Sequence, residues 1–450
     1  MPQALHAEFV NRMTRQVGSD WPALEQSLDG KSPVSIRANP AKQYQGSGIS
    51  VPWCSTGYYL SERPNFTLDP ALHAGGYYVQ EASSMLLEQV IRAAVDLDKP
   101  LTVLDLCAAP GGKSTHLISL LSAHSVLVSN EVVRSRTTIL QENLIKWGQP
   151  NSIITHADPA RFGAVPGLFD VVLIDAPCSG EGLFRKDDNA RQEWSPEHVH
   201  HCSLRQRRIL ADAWGALREG GVLIYSTCTW SPDENEENLH WFAQEHPLSF
   251  VDWTAPPAWS VEKIEHKEVR GYRCYTHKVE GEGFFISAMI KHEAAPRSGT
   301  DRTPTRHVSK KKELHDWIHY PCEHIIFEQD EFCWLRSVQT AGLAERLREH
   351  MPVVSAGTLL AEAKGPKLVP AHALAVSTVL RPEAFPVIEL TLDDALAYLR
   401  KDTLPHPGTG NGYHLATFHG LPLGWVHVLS NRLNNLYPTE WRIRMDIRRL

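Results

Sequence analysis

Two cysteines stand in sequence settings that are typical of reactive thiols. Cys178 follows a proline in DAPCSG, and Cys228 lies in STCT. Both are predicted to lie beside a helix N-terminus, where the positive end of the helix dipole lowers the pKa of a thiol. No histidine or aspartate stands at the spacing of a thiol protease site. The pair therefore favours nucleophilic attack on an electrophilic ring carbon over peptide hydrolysis.

The stretch LTVLDLCAAPGGK, residues 101–113, predicts a ligand site that would serve these thiols. It reads as an apolar strand that ends near Asp105, then a tight turn of small residues, then a helix. Pro110, Gly111 and Gly112 leave room for a ligand to touch the backbone, and the helix start offers N–H groups to a carboxylate or phosphate. The glycine spacing is not G-x-G-x-x-G, which disfavours a dinucleotide cofactor and a nicotinamide dehydrogenase. The alternative is an ordinary turn of small residues.

Strands and helices alternate from residue 101 to residue 229, which predicts a parallel sheet with helices on both faces. Further strands are predicted at VLVSNE, SIITHAD, FDVVLIDAPCSG and VLIYSTCT, with helices over residues 135–148 and 201–218. In such a sheet the ligand crevice lies outside the carboxyl ends of the strands. The candidate groups stand at those ends: Asp105, Glu131, Asp158, Asp175 with Cys178, and Cys228.

The acidic residues at the carboxyl ends of these strands could bind a nucleoside. Glu131 stands twenty residues beyond Gly111, a separation that suits a bidentate grip on a ribose diol. Asp158 ends the third strand, where an adenine amino group would lie. Lys113 could pair with a cofactor carboxylate or with Asp105. For Glu131 and Lys113 the alternative is an exposed, solvated side chain.

A thiol and a nucleoside site together suggest one reaction. C6 of cytosine is an electrophilic ring carbon, and thiolate attack there makes C5 nucleophilic enough to take a methyl group from a sulfonium donor. Removal of the C5 proton and loss of the thiol then free the product. Asp175 could bond to the N3/N4 edge of the base and stabilise the adduct. The target base must first leave its stack to reach such a pocket.

The rest of the chain divides by composition. We expect an α+β region at 1–75, an α/β domain at 76–292, a linker at 293–312, an intermediate region at 313–380 and a β-rich domain with a basic edge at 381–450. The linker and the final ten residues are rich in Arg and Lys, which suits either solvated chain or RNA contact. Residues 1–28 and 77–95 are predicted to be helical, and SIRANP is predicted to form a strand and a turn. Residues 52–59 are predicted to form a loop, and residues 231–234 a capping box that starts the next helix.

Composition excludes several classes. The 450 residues are 42% hydrophobic and 22% charged, as expected of a globular protein, and no run is long enough to cross a bilayer. The N-terminus lacks the order of a signal peptide. The eight cysteines include no C-x-x-C pair, which argues against a zinc ribbon or a disulfide scaffold and favours a reducing, cytoplasmic setting. With a net charge of −7, any nucleic acid must be held by local basic patches.

The motifs LDLCAAPGGKSTHL, DAPCSGEGLFRKD and YSTCT followed by PDENEENL resemble the Nol/Nop/Sun family of RNA cytosine-C5 methyltransferases. The match covers about residues 75–292. The C-terminal GWVHVLSNRLNNLYP is similar to the PUA-like tail of bacterial RsmF-type ribosomal RNA methyltransferases, and SIRANP resembles the R-x-N segment of the family more loosely.

The resemblance implies a Rossmann-like α/β fold with S-adenosylmethionine as methyl donor. It implies Cys228 as the nucleophile and Cys178 as the residue that helps release the product, a choice that spacing alone leaves open. The implied cofactor residues are Cys107, Ala108, Ala109, Pro110, Gly111, Gly112, Lys113, Glu131, Asp158 and Asp175.

The expected substrate is small-subunit ribosomal RNA, with tRNA as the alternative, and the expected state is a monomer with no membrane partner. Two other classes are disfavoured. A DNA cytosine methyltransferase would use the Pro-Cys thiol as its nucleophile, and the Thr-Cys motif argues against that class. A non-catalytic RNA-binding assembly factor is disfavoured because Cys178, Cys228 and the glycine turn are intact.

Overall fold

The computed structural model describes residues 3–42, 44–294, 309, 311–406, 408 and 410–445. Most of the predicted linker, with Arg302, Arg306 and Lys310, lies outside the described residues, as do Arg448 and Arg449 near the C-terminus. Among the helices described, none combines the length and the apolar character that a membrane span requires.

The N-terminal region consists of two helices followed by a small antiparallel sheet. Helices α1 (Ala7–Val17) and α2 (Trp21–Leu28) confirm the predicted helical start, with a short 3-10 turn between them. The sheet has the order β2-β3-β1-β4 and is formed by β1 (Val34–Ala38), β2 (Ile49–Ser50), β3 (Gly57–Leu60) and β4 (Tyr77–Val79), with the short helix α3 (Pro70–His73) before β4.

The central sheet contains the predicted parallel strands in the order β9-β8-β5-β6-β7. These strands are β5 (Thr102–Asp105), β6 (Val126–Asn130), β7 (Ser152–Thr155), β8 (Phe169–Asp175) and β9 (Leu217–Thr227). The middle of β8 is fully buried, as expected of a central parallel strand. Beyond β9 the sheet continues antiparallel through β10 (Leu248–Phe250), β11 (Glu262–His266), β12 (Val269–Cys274) and β13 (Phe284–Lys291), with β13 paired to both β9 and β12.

Helices cover both faces of this sheet, so the predicted α/β class is confirmed. They are α4 (Leu87–Ala94), α5 (Gly112–Leu120), α6 (Arg134–Trp147), α7 (Asp188–Glu193), α8 (Pro196–Trp214) and α9 (Glu236–Glu245). Leu210 and Phe242, on α8 and α9, belong to the core on one face, and Ile91 and Leu117, on α4 and α5, to the core on the other. Gly148 ends α6 with a φ of 89°, a conformation that suits glycine.

The C-terminal part adds two further sheets, with orders β14-β15-β17-β18 and β19-β20-β21-β22. Its elements are α10 (Lys312–Asp316), β14 (His324–Gln329), β15 (Phe332–Ser337), α11 (Val338–Arg348), β16 (Val353–Ala356), β17 (Thr358–Lys364), β18 (Lys367–Pro370), α12 (His372–Ala375), β19 (Val387–Glu389), α13 (Leu392–Arg400), β20 (Gly412–Phe418), β21 (Leu421–Val428) and β22 (Leu433–Asn435). Strand β16 pairs with β7 and so extends the central sheet.

Three local predictions are wrong. The segment 77–95 is not one helix, because its first residues pair with β1 as strand β4. The stretch 52–59 is not all loop, because β3 begins at Gly57. The capping box is also wrong: α9 begins at Glu236, and Glu234 turns its carboxylate to Ser179 instead of the helix start.

Candidate active site

Side chains of helix α6 bind the backbone of the turn between β5 and α5. Arg136 donates a hydrogen bond to the carbonyl of Ala109 at 2.7 Å, and Asn143 donates to that of Pro110 at 2.8 Å. Gly111 has a φ of 114°, which a residue with a Cβ rarely adopts. Gly111 is also the N-cap of α5 and offers no side chain, so the first N–H groups of the helix stay open to a ligand.

A cavity of about 550 Å³ lies at the carboxyl ends of the parallel strands, where the sequence places it. The structure brings nearly all the predicted site residues to its wall, while Gly111 shapes the turn without lining the cavity. The predicted residues on the wall are Cys107, Ala108, Ala109, Pro110, Gly112, Lys113, Glu131, Asp158, Asp175, Cys178 and Cys228.

Cys178 and Cys228 meet in this cavity, with their Sγ atoms 3.0 Å apart. They follow β8 and β9, which are neighbouring parallel strands, so their loops leave the sheet side by side. The expected lowering of the Cys178 pKa is wrong. The hydrogen bond to Cys228 and burial of the thiol raise the pKa of Cys178 well above its usual range, and the carboxylate of Glu234 adds to the effect. Cys178 therefore keeps its proton.

Lys113 pairs with Asp175 and not with Asp105. Its Nζ lies 2.8 Å from Oδ2 of Asp175, whose Oδ1 accepts a hydrogen bond from Ser226 at 2.9 Å. Burial works to lower the pKa of Lys113, but the charge of Asp175 and its hydrogen bond to Lys113 outweigh burial and hold that pKa above its usual value. A fixed positive charge thus lies next to the thiol pair.

Asp105 is fully buried at the end of β5. Its Oδ2 accepts a hydrogen bond from Ser114 at 2.6 Å, whereas no group among the described residues donates to Oδ1. Burial raises the pKa of Asp105 to about 7, and the nearby Asp175 adds to this rise. Asp105 does not itself line the cavity, although the sequence placed it among the candidate groups.

Glu131 and Asp158 follow β6 and β7, as predicted. Glu131 is almost fully buried and accepts a hydrogen bond from the backbone of Val133 at 2.9 Å. Asp158 is half-exposed and forms an ion pair with Arg208 of α8, with an N–O distance of 2.9 Å. The hydrogen bond from the N–H of Ala160, more than the ion pair, lowers the pKa of Asp158, so this side chain is a carboxylate.

Two segments of the cavity wall were not predicted from the sequence. One lies at β4, before β5 in the chain, and the other lies at the start of β13. Tyr78 and Gln80, at and just after β4, line the cavity together with Glu282 and Phe284. Arg37, the arginine of SIRANP, is fully buried and donates to Gln80 at 2.8 Å and to Thr115 of α5 at 2.6 Å. The available signal for a strand here is the run of aromatic and β-branched residues in YYV, a composition that is enriched in strands.

Comparisons with known proteins match three parts of the chain to family models. Residues 93–290 match the family model of 16S rRNA methyltransferase RsmB/F, residues 5–82 that of the N-terminal domain of RsmF, and residues 385–443 that of the RsmF PUA domain. The chain is 33% identical to ribosomal RNA small subunit methyltransferase F of Aliivibrio salmonicida over 91% of this chain and 89% of that one. The Escherichia coli protein of the same name is 32% identical, over 87% and 84% of the two chains.

Solved structures share the fold. A methyltransferase homologue from Pyrococcus horikoshii superposes with a TM-score of 0.53 at 27% identity, over 63% of this chain and 94% of that one. NSun6 from the same organism superposes with a TM-score of 0.55 over 64% and 98% of the two chains, and at 19% identity this likeness concerns the fold alone.

The fold, the glycine turn and these matches define a Rossmann-like, S-adenosylmethionine-dependent methyltransferase with a PUA domain. More particularly, the chain belongs to the ribosomal RNA small subunit methyltransferase F family. The cavity fits this cofactor, because its open helix N-terminus can take a carboxylate and its buried Glu131 can accept hydrogen bonds from ribose hydroxyls.

Proposed function

We propose that this protein methylates C5 of a cytosine in small-subunit ribosomal RNA through a covalent bond to Cys228. The observation that carries the proposal is the 3.0 Å contact between Cys178 and Cys228 in the cofactor cavity. The relatives are named for the RNA of the small ribosomal subunit, which supports this substrate. The cofactor would be held by the turn from Cys107 to Lys113 and by Glu131, Asp158 and Asp175.

Cys228 suits the role of nucleophile better than Cys178. Cys178 holds its proton tightly and can donate an S–H hydrogen bond to Cys228, which would stabilise an attacking thiolate there. The ammonium group of Lys113 stabilises that negative charge. The geometry therefore supports the roles that the family resemblance implies for the two thiols.

The reaction begins when the Cys228 thiolate adds to C6 of cytosine. An S–C6 bond forms, and the π electrons of the C5–C6 bond move to C5, which becomes nucleophilic. S-adenosylmethionine, when bound, supplies the electrophilic methyl group and is left as S-adenosylhomocysteine. A base then takes the proton from C5, the C5–C6 double bond forms again, and the Cys228 thiolate leaves.

Cys178 suits the role of that base. The largest cause of its raised pKa is the hydrogen bond to Cys228, and that cause is lost once the Cys228 sulfur is bonded to carbon. Cys178 can then release its own proton to solvent through the cavity and, as a thiolate, take the proton from C5. Asp175, at the cavity wall and paired with Lys113, would bond the N3/N4 edge of cytosine during attack.

Positive side chains at the cavity suit a path for the RNA backbone. Arg136 and Arg208 are more than half exposed, and Arg205 lines the cavity beside them. Such local charges can hold phosphates although the chain as a whole is negative. We further propose that residues 381–450, which include the PUA match, add RNA affinity, and that the protein acts as a cytoplasmic monomer.

The test is methyl transfer from S-adenosylmethionine labelled in the methyl group to naked 16S rRNA, to assembled small subunits and to tRNA. Nucleoside analysis should find the label in 5-methylcytidine from one of the two ribosomal substrates, and Cys228→Ser should incorporate none. Bisulfite mapping of the same RNA then identifies the nucleotide. Label on tRNA alone, or on another atom of ribosomal RNA, would refute the proposed substrate or the proposed chemistry respectively.

A further inference from the structure

The two loops that carry the thiols are joined by hydrogen bonds that lie away from the sulfur atoms. Gly182, in the loop of Cys178, donates its backbone N–H to the carbonyl of Cys228 at 2.9 Å. Two fully buried carboxylates extend this connection, one from each loop: Glu181 follows Cys178, and Glu234 follows Cys228.

Glu181 reaches from the first loop to the second. Its Oε2 accepts a hydrogen bond from the backbone N–H of Trp230, two residues beyond Cys228, at 3.1 Å. Its Oε1 accepts from Trp194 at 2.9 Å and pairs with Arg12 of α1 at 2.5 Å. Every partner of Glu181 named here is an N–H donor, so both oxygens must act as acceptors.

Glu234 reaches from the second loop back to the first. Its Oε1 accepts hydrogen bonds from the backbone N–H of Ser179 at 2.9 Å and from Gln206 of α8 at 3.0 Å. Its Oε2 accepts from the hydroxyl of Ser179 at 2.5 Å and from that of Thr229 at 3.3 Å. The backbone next to Cys178 is thus fixed by an acid of the Cys228 loop.

We infer that Glu181 and Glu234 are positioning residues that hold the two cysteine loops in register, so that the thiols stay in contact. Each acid binds the backbone of the other loop. Glu181 binds Trp230, two residues after Cys228, and Glu234 binds Ser179, the residue after Cys178. Neither loop can shift without breaking buried hydrogen bonds. The inference rests on the proposed function only in that both thiols are taken to act in the reaction.

Glu181 and Glu234 differ in the kind of hydrogen-bond partner they have, and this difference makes a test possible. At Glu234 the second oxygen faces hydroxyl groups, which can accept as well as donate, so the amide of Glu234→Gln keeps a full set of hydrogen bonds. At Glu181 both oxygens face N–H donors. In Glu181→Gln the NH2 group of the amide must therefore face an N–H donor, and the hydrogen bond at that position is lost. Glu234→Gln should therefore behave like wild type, and Glu181→Gln should not.

A matched control lies two residues from Glu234. Glu236 is also buried and forms an ion pair with Arg273 at 2.6 Å, but its hydrogen bonds go to β12 and not to the loop of Cys178. Glu236→Ala removes a buried carboxylate from the same stretch of chain. It should lower the Tm while leaving the thiol contact and kcat unchanged.

The first readout is the rate at which diamide joins Cys178 to Cys228, measured by peptide mass spectrometry without reduction. The two thiols lose two protons and two electrons to the diamide, which becomes the hydrazine. The second readout is methyl transfer, measured as kcat and KM. Glu236→Ala is the reference for both readouts. Relative to it, we expect Glu234→Ala and Glu181→Gln to slow disulfide formation at least about 10-fold. We also expect both variants to lower kcat by about 10²-fold, with KM for S-adenosylmethionine nearly unchanged.

Glu181→Gln keeps the size of the side chain, so the test holds even if the alanine variant does not fold. Disulfide rates in Glu181→Gln and Glu234→Ala equal to that of Glu236→Ala would overturn the inference, as would a Glu234→Gln variant as slow as Glu234→Ala. The disulfide readout requires no methyl transfer. If the rate of disulfide formation falls as expected while Cys228→Ser still methylates RNA, the proposed function fails and the positioning role stands.

Discussion

Lys113 and Asp175 form an ion pair at the cavity wall, with Nζ 2.8 Å from Oδ2. Lys113 lies in the first turn of α5 and Asp175 ends β8, so the pair joins the cofactor turn to the strand that leads to Cys178. The pairing also places a cation where it can stabilise a thiolate at Cys228.

Replacement of Lys113 should therefore impair the chemical step. Lys113→Met removes the charge that balances Asp175 and that would stabilise the proposed Cys228 thiolate, and we expect kcat to fall by about 10²-fold. The measurement is methyl transfer at saturating RNA and cofactor. Lys99→Met, which removes an exposed lysine paired with Asp96 on the surface, is the control and should leave kcat unchanged. Equal rates in the two variants would remove Lys113 from the mechanism.

Cys228→Ser should abolish methyl transfer, because a serine hydroxyl is a far weaker nucleophile than a thiolate. Binding of S-adenosylmethionine, measured by calorimetry, should stay nearly as in wild type, since the turn and Glu131 are intact. Retained turnover in this variant would show that Cys228 is not the attacking group.

Loss of the Glu131 carboxylate should weaken the cofactor site. If Glu131 accepts hydrogen bonds from a ribose diol, Glu131→Ala should raise the Kd of S-adenosylmethionine by about 10- to 100-fold, as expected for hydrogen bonds to a charged group. Glu142→Ala, in α6, removes a carboxylate that pairs with Lys146 and serves as the control. An unchanged Kd in Glu131→Ala would place the ribose elsewhere.

Asp105 should make the stability of the apoprotein depend on pH. Its pKa is about 7 in the folded chain against 3.8 for an ordinary aspartate, so the folded state binds the proton more tightly between these values. Stability is therefore lost as the pH rises from about 4 to about 7, by at most about 4 kcal/mol, and stays constant above that range.

Asp105→Asn removes this cost. The Tm of the variant minus that of wild type should therefore increase from pH 5 to pH 8, as measured by thermal unfolding at several pH values. A difference that does not change with pH would contradict the assignment of this titration to Asp105.

The central architecture could be predicted because its signals are local. The apolar run before Asp105 and the glycines after it define a strand and a turn, and parallel strands bring their carboxyl ends to one edge. Glu131, Asp175, Cys178 and Cys228 therefore reach one cavity, as the sequence indicated.

What the sequence could not show depends on pairing between distant segments. Tyr78 reaches the cavity because β4 pairs with β1, about forty residues earlier, although 77–95 has the periodicity of a helix. Glu234 occupies the position of a capping-box acid, but the buried N–H of Ser179 takes its carboxylate. Similarly, burial and the contact with Cys228 outweigh any helix dipole at Cys178.

The most direct measurement is capture of the covalent intermediate in Cys178→Ala. Without the thiol that takes part in release, we expect protein and RNA substrate to remain linked after denaturation in the presence of S-adenosylmethionine. Digestion and mass spectrometry should locate the RNA fragment, carrying a methylated cytosine, on the sulfur of Cys228. An absent adduct, or a fragment attached to any other residue, would contradict the account.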